Sequence, residues 1–211
     1  MFYPIFIELE NRRVLVVGGG PVAERKVEAL LDAGARITVV SPDVTDRLME
    51  LANSSRLIWH QRKFHSSDLD GASLVISATD DAATQAEVAS DAAAKNILVN
   101  TVDKPELCDF IVPSMLRRGE ITVAISTSGK SPALAAELRR RLDSVVTDAM
   151  ARTAFVLGAI RSEVHDRFPD SEQRKRVFEM IIDSGIVDWI STCDDAAALS
   201  RVRKMIEGIS L

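Results

Sequence analysis

Residues 13–23 read Arg13-Val14-Leu15-Val16-Val17-Gly18-Gly19-Gly20-Pro21-Val22-Ala23, and the reading of this stretch decides the fold. Its four consecutive apolar residues, mostly β-branched, suit a central strand of a parallel sheet covered on both faces. The glycines end that strand. Gly18, Gly20 and Ala23 occupy the small positions of Gly-x-Gly-x-x-Ala, an accepted form of the dinucleotide fingerprint. The first glycine permits the tight turn, the second lets a pyrophosphate approach the backbone, and the third small residue lets helix and strand pack closely. A helix beginning near Pro21 and Val22 aims free N–H groups and the positive end of its dipole at the phosphates. Pro21 suits that first turn, where its missing N–H costs nothing.

A glycine turn alone is ordinary loop punctuation, so the flanking sequence matters. Residues 24–33 continue as a helix with Val27, Leu30 and Leu31 on one stripe, Gly34 stops it, and residues 36–40 resume as a strand. That order is a βαβ unit. Ser41-Pro42-Asp43 closes it, placing Asp43 near where a ribose carboxylate follows the fingerprint, roughly 20 residues on. An acid there favours the free 2′-hydroxyl of NAD, while nearby Arg47 also suits the phosphate of NADP. Asp43 reads equally well as the cap of a helix over 44–53.

Further strands are expected at 57–60, 73–77 and 97–99. Thr79 and Asp80 follow the fourth strand at the edge that faces ligands in an open α/β sheet, which makes them candidate cofactor contacts; capping of a helix over 82–95 is the other reading. The fifth strand runs out into Asn100-Thr101-Val102-Asp103-Lys104-Pro105. Pro105 disfavours helix at Lys104, so Asn100 and Asp103 sit in an extended or turned loop at the ligand edge. Asp103 reads either as a catalytic group or as an Asx turn closing that loop.

Residues 110–112 and 121–125 read as two antiparallel strands joined through Arg117-Arg118-Gly119-Glu120. The next segment, Ser126-Thr127-Ser128-Gly129-Lys130-Ser131-Pro132, contains Gly-Lys-Ser, but the earlier glycine of a P-loop would fall on Ala124. What remains is a hydroxyl-rich turn, capped by Ser131 with Pro132 at the first helical position and suited to carboxylates. From Pro132 onward the pattern is helical. Val146, Met150, Ala154, Leu157, Ile160, Val164 and Phe168 recur every three or four residues as a core or partner face, with further helices expected over 172–182 and 195–207.

The 211 residues, 46% of them hydrophobic, suffice for a real core, and a net charge of −5 without a long basic run argues against nucleic acid as a partner. Cys108 and Cys193 are far apart and His60, His65 and His165 are scattered, so no metal or redox spacing exists; the cysteines read as free thiols of a reducing compartment. The apolar opening over 1–7 contains Pro4 and is cut short at Glu8, which is not a targeting signal, and no apolar run reaches the length of a membrane span. The expected location is the cytoplasm.

The motifs Gly-Gly-Gly-Pro-Val-Ala-Glu-Arg-Lys, Ser-Ala-Thr-Asp-Asp, Asn-Thr-Val-Asp-Lys-Pro, Asp-Phe-Ile-Val-Pro-Ser and Ser-Thr-Ser-Gly-Lys-Ser-Pro occur in this order. With them the chain resembles the precorrin-2 dehydrogenase family, the dehydrogenase and ferrochelatase module of siroheme synthase, strongly over 1–145 and by length and character beyond. The resemblance implies a Rossmann-type α/β domain that binds NAD over 1–112, a small strand-containing dimerisation region over 113–145 and a C-terminal helical domain over 146–211. It implies NAD-dependent oxidation of precorrin-2 to sirohydrochlorin, insertion of Fe(II) by the same module in some relatives, and a homodimer. The family's catalytic aspartate falls on Asp103, and its cofactor contacts fall on Pro21, Val22, Pro42 and Asp43. The chain carries no methyltransferase half like that of the fused relatives, so it is not expected to make precorrin-2 itself.

A base near the nicotinamide and cations for a polycarboxylated macrocycle are what such chemistry needs. Asp103 fits the first. Arg117, Arg118 and Lys130, with Asn100 and the hydroxyls of Ser126, Thr127 and Ser128, are the candidates for the second. A competing class is a nucleotide-sensing regulatory module, which shares the fingerprint without catalysis; residues 100–103 and the hydroxyl loop speak against it.

Overall fold

The computed structural model describes residues 2–209 and divides into two compact units, one up to Val112 and one from Pro113 onward. The first unit is built on strand β1 (Arg13–Val17), which pairs in parallel with β2 (Arg36–Val40) on one side and β4 (Leu74–Ser77) on the other. With β3 (Ile58–His60) and β5 (Leu98–Thr101) outside them, the sheet runs β3-β2-β1-β4-β5, all parallel. Alternate side chains of β1 serve opposite layers, as strand geometry requires. Val14 and Val16 pack with Ala23 and Val27 of helix α1 (Pro21–Leu31) and with Leu48 and Leu51 of α2 (Asp46–Asn53). Leu15 and Val17 pack on the other face with Phe64, Leu69 and with Val88 and Ala92 of α3 (Ala82–Ala94). Helices on both faces of a parallel sheet define the doubly wound α/β class, and the strand order reverses between β1 and β4.

Several local expectations shift. The helix after β2 is capped by Thr45, whose hydroxyl accepts from Leu48 N, so Asp43 is released from capping. Asp81, not Thr79 or Asp80, caps α3 by accepting from Ala83 N and Thr84 N. Strand β5 continues to Thr101, beyond the apolar run, because Asn100 and Thr101 pair with Ile76 and Ser77. Residues 110–112 are not a strand; pairing starts at Ser114, after Pro113, which has no N–H to give to a ladder.

The second unit opens with a hairpin of β6 (Ser114–Arg118) and β7 (Ile121–Ile125). Arg117 and Arg118 therefore belong to a strand, and the turn is Gly119-Glu120 alone. Gly119 has φ +54°, which favours glycine, and an added Cβ would lie 3.1 Å from that of Ala151, a tight contact. Ser131 caps α4 (Pro132–Asp143) by accepting from Leu134 N, with Pro132 in the first turn, as expected. Thereafter the helical run is broken into α5 (Asp148–Ala159), α6 (Arg161–Arg167), α7 (Ser171–Asp183), the short α8 (Ile186–Trp189) and α9 (Asp195–Gly208). Val156, Ile160, Val164, Val177, Ile181, Ile186, Val202 and Ile206 form their core. Arg152 ties the bundle by donating to Ile190 O and Cys193 O and pairing with Asp195. No helix among the described residues is long and apolar enough to cross a membrane.

A partly buried ion pair holds the segment after β3. Asp68, 6% exposed, accepts two hydrogen bonds from Arg62 at 2.8 and 2.6 Å and one from His65 N at 2.9 Å. The Arg62 guanidinium keeps the Asp68 carboxyl below its ordinary value against the opposing effect of burial. A carboxyl depressed on folding stabilises fully above its unfolded pKa and loses that contribution as pH falls through the folded value. Asp68→Ala is therefore expected to cost about 2 kcal/mol in denaturant unfolding at pH 7. The gap between variant and parent should close below the ordinary carboxylate value of 3.8. Equal stability at pH 7 would remove the pair from the account of this segment.

Candidate dinucleotide site

The loops that follow β1, β2, β3, β4 and β5 meet at the carboxyl edge of the sheet around an open cleft of about 1090 Å³. Gly18, Gly20, Pro21 and Val22 form its floor. Pro42 and Asp43 come from the loop after β2, Thr79 and Asp80 from that after β4, and Asp103 from that after β5. The cleft thus lies at the point where the strand order reverses, which is where ligands bind open α/β sheets.

The glycine turn is shaped by backbone contacts. A Cβ on Gly18, which has φ +119°, would stand 2.3 Å from Ala78 O, and one on Gly19 would stand 2.0 Å from Asp43 O. A Cβ on Gly20 would meet nothing within 4 Å. Gly18 and Gly19 are thus demanded by the fold, whereas Gly20 leaves space on the cleft side. Gly20 is the N-cap of α1 and no side chain caps that helix, so the first-turn N–H groups of Val22 and Ala23 are left for a ligand. An uncapped helix N-terminus behind a bare glycine fits a pyrophosphate.

Asp43 is exposed and freed from capping, as a ribose contact must be. Arg47 is turned away into pairs with Glu28 and Glu50, both at 3.3 Å, and does not line the cleft. The basic groups that do line it are Arg62, committed to Asp68, together with the exposed Lys63 and Lys104. Lys63 and Arg62 carry no motif in the sequence; they arrive through the pairing of β3 with β2. Gln85 also escaped the sequence reading. It is buried and its amide donates to Thr79 O at 2.7 Å, with a longer approach to Val102 O, so it joins the loops after β4 and β5 beneath the cleft. A polar residue on the alanine-rich face of α3 is the signal that marks it.

Asp103 is exposed and held at φ +60° by the bend that takes the chain out of β5. Lys26, half-buried on α1, is depressed first by burial and then by Arg25, while Asp103 and Cys108 pull it the other way. Asn100 has a different task from the one expected. It is 8% exposed, and its amide donates to Phe110 O at 2.9 Å rather than facing the cleft. The hydroxyl loop belongs to the second unit. Ser126 Oγ accepts from Ser128 N, and Thr127 Oγ1 accepts from Ser131 N and bonds to Ser131 O, so these hydroxyls close the loop on itself. Ser128, at φ +54°, and Lys130 are exposed. Arg118 is engaged by Asp143 at 2.9 Å and Asp148 at 3.6 Å.

The strand order, the bare glycine turn and the acid after β2 together define a dinucleotide-binding α/β protein. A family model described as "Putative NAD(P)-binding" matches residues 5–114, and the chain belongs to that family. A second model, described as "Sirohaem biosynthesis protein central", matches residues 118–144. The siroheme synthase of Thioalkalivibrio sulfidiphilus is 41% identical over 206 residues, which are 98% of this chain and 42% of that protein. That of Chromobacterium violaceum is 38% identical over 205 residues, 97% of this chain and 44% of that protein. The chain thus spans less than half the length of these relatives. The solved structure of SirC, precorrin-2 dehydrogenase, superposes with a TM-score of 0.75 at 27% identity, covering 96% of this chain and 100% of that one. These matches agree with the resemblance read from the motifs, and NAD(P) is the cofactor of the family.

Gly20→Val tests the floor of the cleft without disturbing the fold, because its Cβ meets open space and its φ of −82° is ordinary. The variant should keep the parent's circular dichroism and melting temperature and lose NAD affinity at least about tenfold by calorimetry, roughly 1.4 kcal/mol. Undiminished titration with NAD would move the pyrophosphate elsewhere.

Proposed function

We propose that the protein is an NAD-dependent dehydrogenase that oxidises precorrin-2 to sirohydrochlorin in siroheme biosynthesis. The observation that carries this reading is Asp103, a carboxylate presented at the mouth of the same cleft whose floor is the glycine turn. Oxidation of a reduced macrocycle takes away a hydride and a proton, and NAD, when bound, supplies the hydride acceptor. The chain must then supply the base. No histidine lines the cleft, and of the acids there that stand outside capping and ion-pair roles, Asp43, Asp80 and Asp103, it is Asp103 on which the family's catalytic aspartate falls. The uncapped first turn of α1 holds the pyrophosphate, and Asp43 receives the ribose, favouring NAD over NADP now that Arg47 is committed to Glu28 and Glu50.

The substrate's carboxylates call for cations, and we assign Lys130 and the exposed Ser128 to that work, with Arg117 on β6 as a further cation. The names of the siroheme synthases and of SirC support the substrate, and the match of residues 118–144 to the sirohaem biosynthesis model extends that support into the second unit. Fe(II), as a second substrate inserted into sirohydrochlorin, belongs to the same reading. So does a homodimer formed through the region 113–145, supported by the exposed Met115, Leu134 and Leu138. The two unpaired cysteines suit the cytoplasm.

Asp103→Asn retains size and turn-forming ability but removes the base. Dehydrogenation followed by absorbance at saturating NAD and precorrin-2 should fall about 10²–10⁴-fold, with NAD affinity and melting temperature unchanged. Retention of more than about half the parent rate would take Asp103 out of the mechanism, because asparagine replaces aspartate in a turn at little cost. Sedimentation at micromolar concentration should give twice the monomer mass, and a single protomer would reject the dimer.

A further inference from the structure

Strand β5 is the last strand of its sheet. One edge pairs with β4, and the other meets no strand among the described residues. Open edges of sheets carry unpaired N–H and C=O groups that must be satisfied in some other way. Here the chain does this with itself, after leaving β5 at Thr101, bending through Asp103 and passing a 3₁₀ turn over Pro105–Leu107. Asp109 N donates to Val99 O at 2.9 Å, and the Asp109 carboxylate accepts from Val99 N at 3.0 Å. The next backbone pair along the edge, that of Thr101, is met by a side chain and, at its carbonyl, also by Lys104 N at 3.3 Å. Cys108 Sγ accepts from Thr101 N at 3.1 Å and has two carbonyls within reach of its proton, Thr101 O at 3.1 Å and Lys104 O at 3.3 Å.

One sulfur atom therefore touches both ends of the bend that presents Asp103: Thr101, where the strand stops, and Lys104, where the bend finishes. Asp103 itself stands at φ +60°, a conformation that L residues adopt sparingly and that persists where its surroundings impose it. We propose that Cys108 is a positioning residue of the dehydrogenation, its thiol fastening the Asp103 loop to the edge of β5 and so setting the carboxylate's place at the cleft. The proposal rests on the reading of Asp103 as the base. Burial is the main influence on the thiol and pushes it up from its ordinary value, which keeps its proton in place to donate at neutral pH. Serine has the same donor and acceptor capacity on a shorter bond, alanine neither.

The experiment compares the parent, Cys108→Ala and Cys108→Ser, and places Cys108→Ala also in the Asp103→Asn background. Turnover is followed by absorbance with NAD and precorrin-2, NAD affinity by calorimetry, and the Thr101 amide by hydrogen exchange. Cys108→Ala should lower kcat about ten- to a hundredfold, the scale of a displaced catalytic group, while NAD affinity stays at the parental value. Cys108→Ser should recover most of the loss. A residue acting only through Asp103 adds nothing once that carboxylate is gone, so Cys108→Ala should cost no further activity in Asp103→Asn. The Thr101 amide should exchange faster in Cys108→Ala than in the parent.

A parental kcat for Cys108→Ala, or an equal fractional loss in both backgrounds, would overturn the positioning role while leaving the dehydrogenase reading intact. A parent without turnover, whose Thr101 amide nevertheless loses protection in Cys108→Ala, would overturn the dehydrogenase reading and the positioning role together and leave only a structural clasp.

Discussion

The first unit depends on two positions where no side chain can exist. Ala78 O lies where a Cβ of Gly18 would be, and Asp43 O where a Cβ of Gly19 would be, so the backbone leaving β1 touches the backbones leaving β4 and β2. Close-packed interiors offer no slack for even one methyl at such a contact. Because those approaches are so short, the turn after β1 is pinned between its two neighbours, and α1 starts from a fixed point with its N-terminus turned to the cleft. The positive end of α1, the acid after β2 and the loops after β4 and β5 are then brought to one edge as a consequence of strand order.

With the glycine turn fixed, the polar groups around the cleft separate by the partners they already have. Thr45 and Asp81 are taken by helix N-termini, Asp68 by Arg62, Arg47 by two glutamates, and Asn100 by Phe110 O. A group whose hydrogen-bonding capacity is already satisfied gains little from a ligand, since it must lose one bond to make another. Asp43, Asp80 and Asp103 stand apart from these commitments and line the cleft. Commitment, rather than residue type, is what distinguishes the carboxylates of this unit.

The second unit uses arginines as its fasteners. Arg118 reaches Asp143 at the end of α4 and Asp148 at the start of α5, joining the hairpin to the helices, and Arg152 gathers the chain around Cys193. A planar guanidinium with several fixed donors can serve carboxylate and carbonyl partners at once, which a lysine ammonium does less well. The loop from Ser126 to Ser131 is likewise closed by its own hydroxyls.

Much of this was written in local sequence. The apolar run of Val14 to Val17, the glycines behind it and the stripe on α1 determined a buried parallel strand and a dinucleotide turn, because strand burial, positive φ and helix packing each restrict residue type within a few positions. The cap at Ser131 and the helices α7 and α9 were legible for the same reason, whereas the breaks between α4, α5 and α6 were not. Tertiary structure decided what depended on residues distant in the chain. Which of Asp43 and Thr45 caps α2, whether Arg47 reaches the cleft, and that Arg62, Lys63 and Gln85 line it follow from strand pairing and ion pairs formed across the fold. Asn100 looked like a cleft residue because it follows an apolar run, yet it lies inside β5, whose length is set by its pairing with β4. A residue's type and its neighbours determine what its backbone can do, whereas the partner that claims its side chain is chosen by the folding of segments far away in sequence.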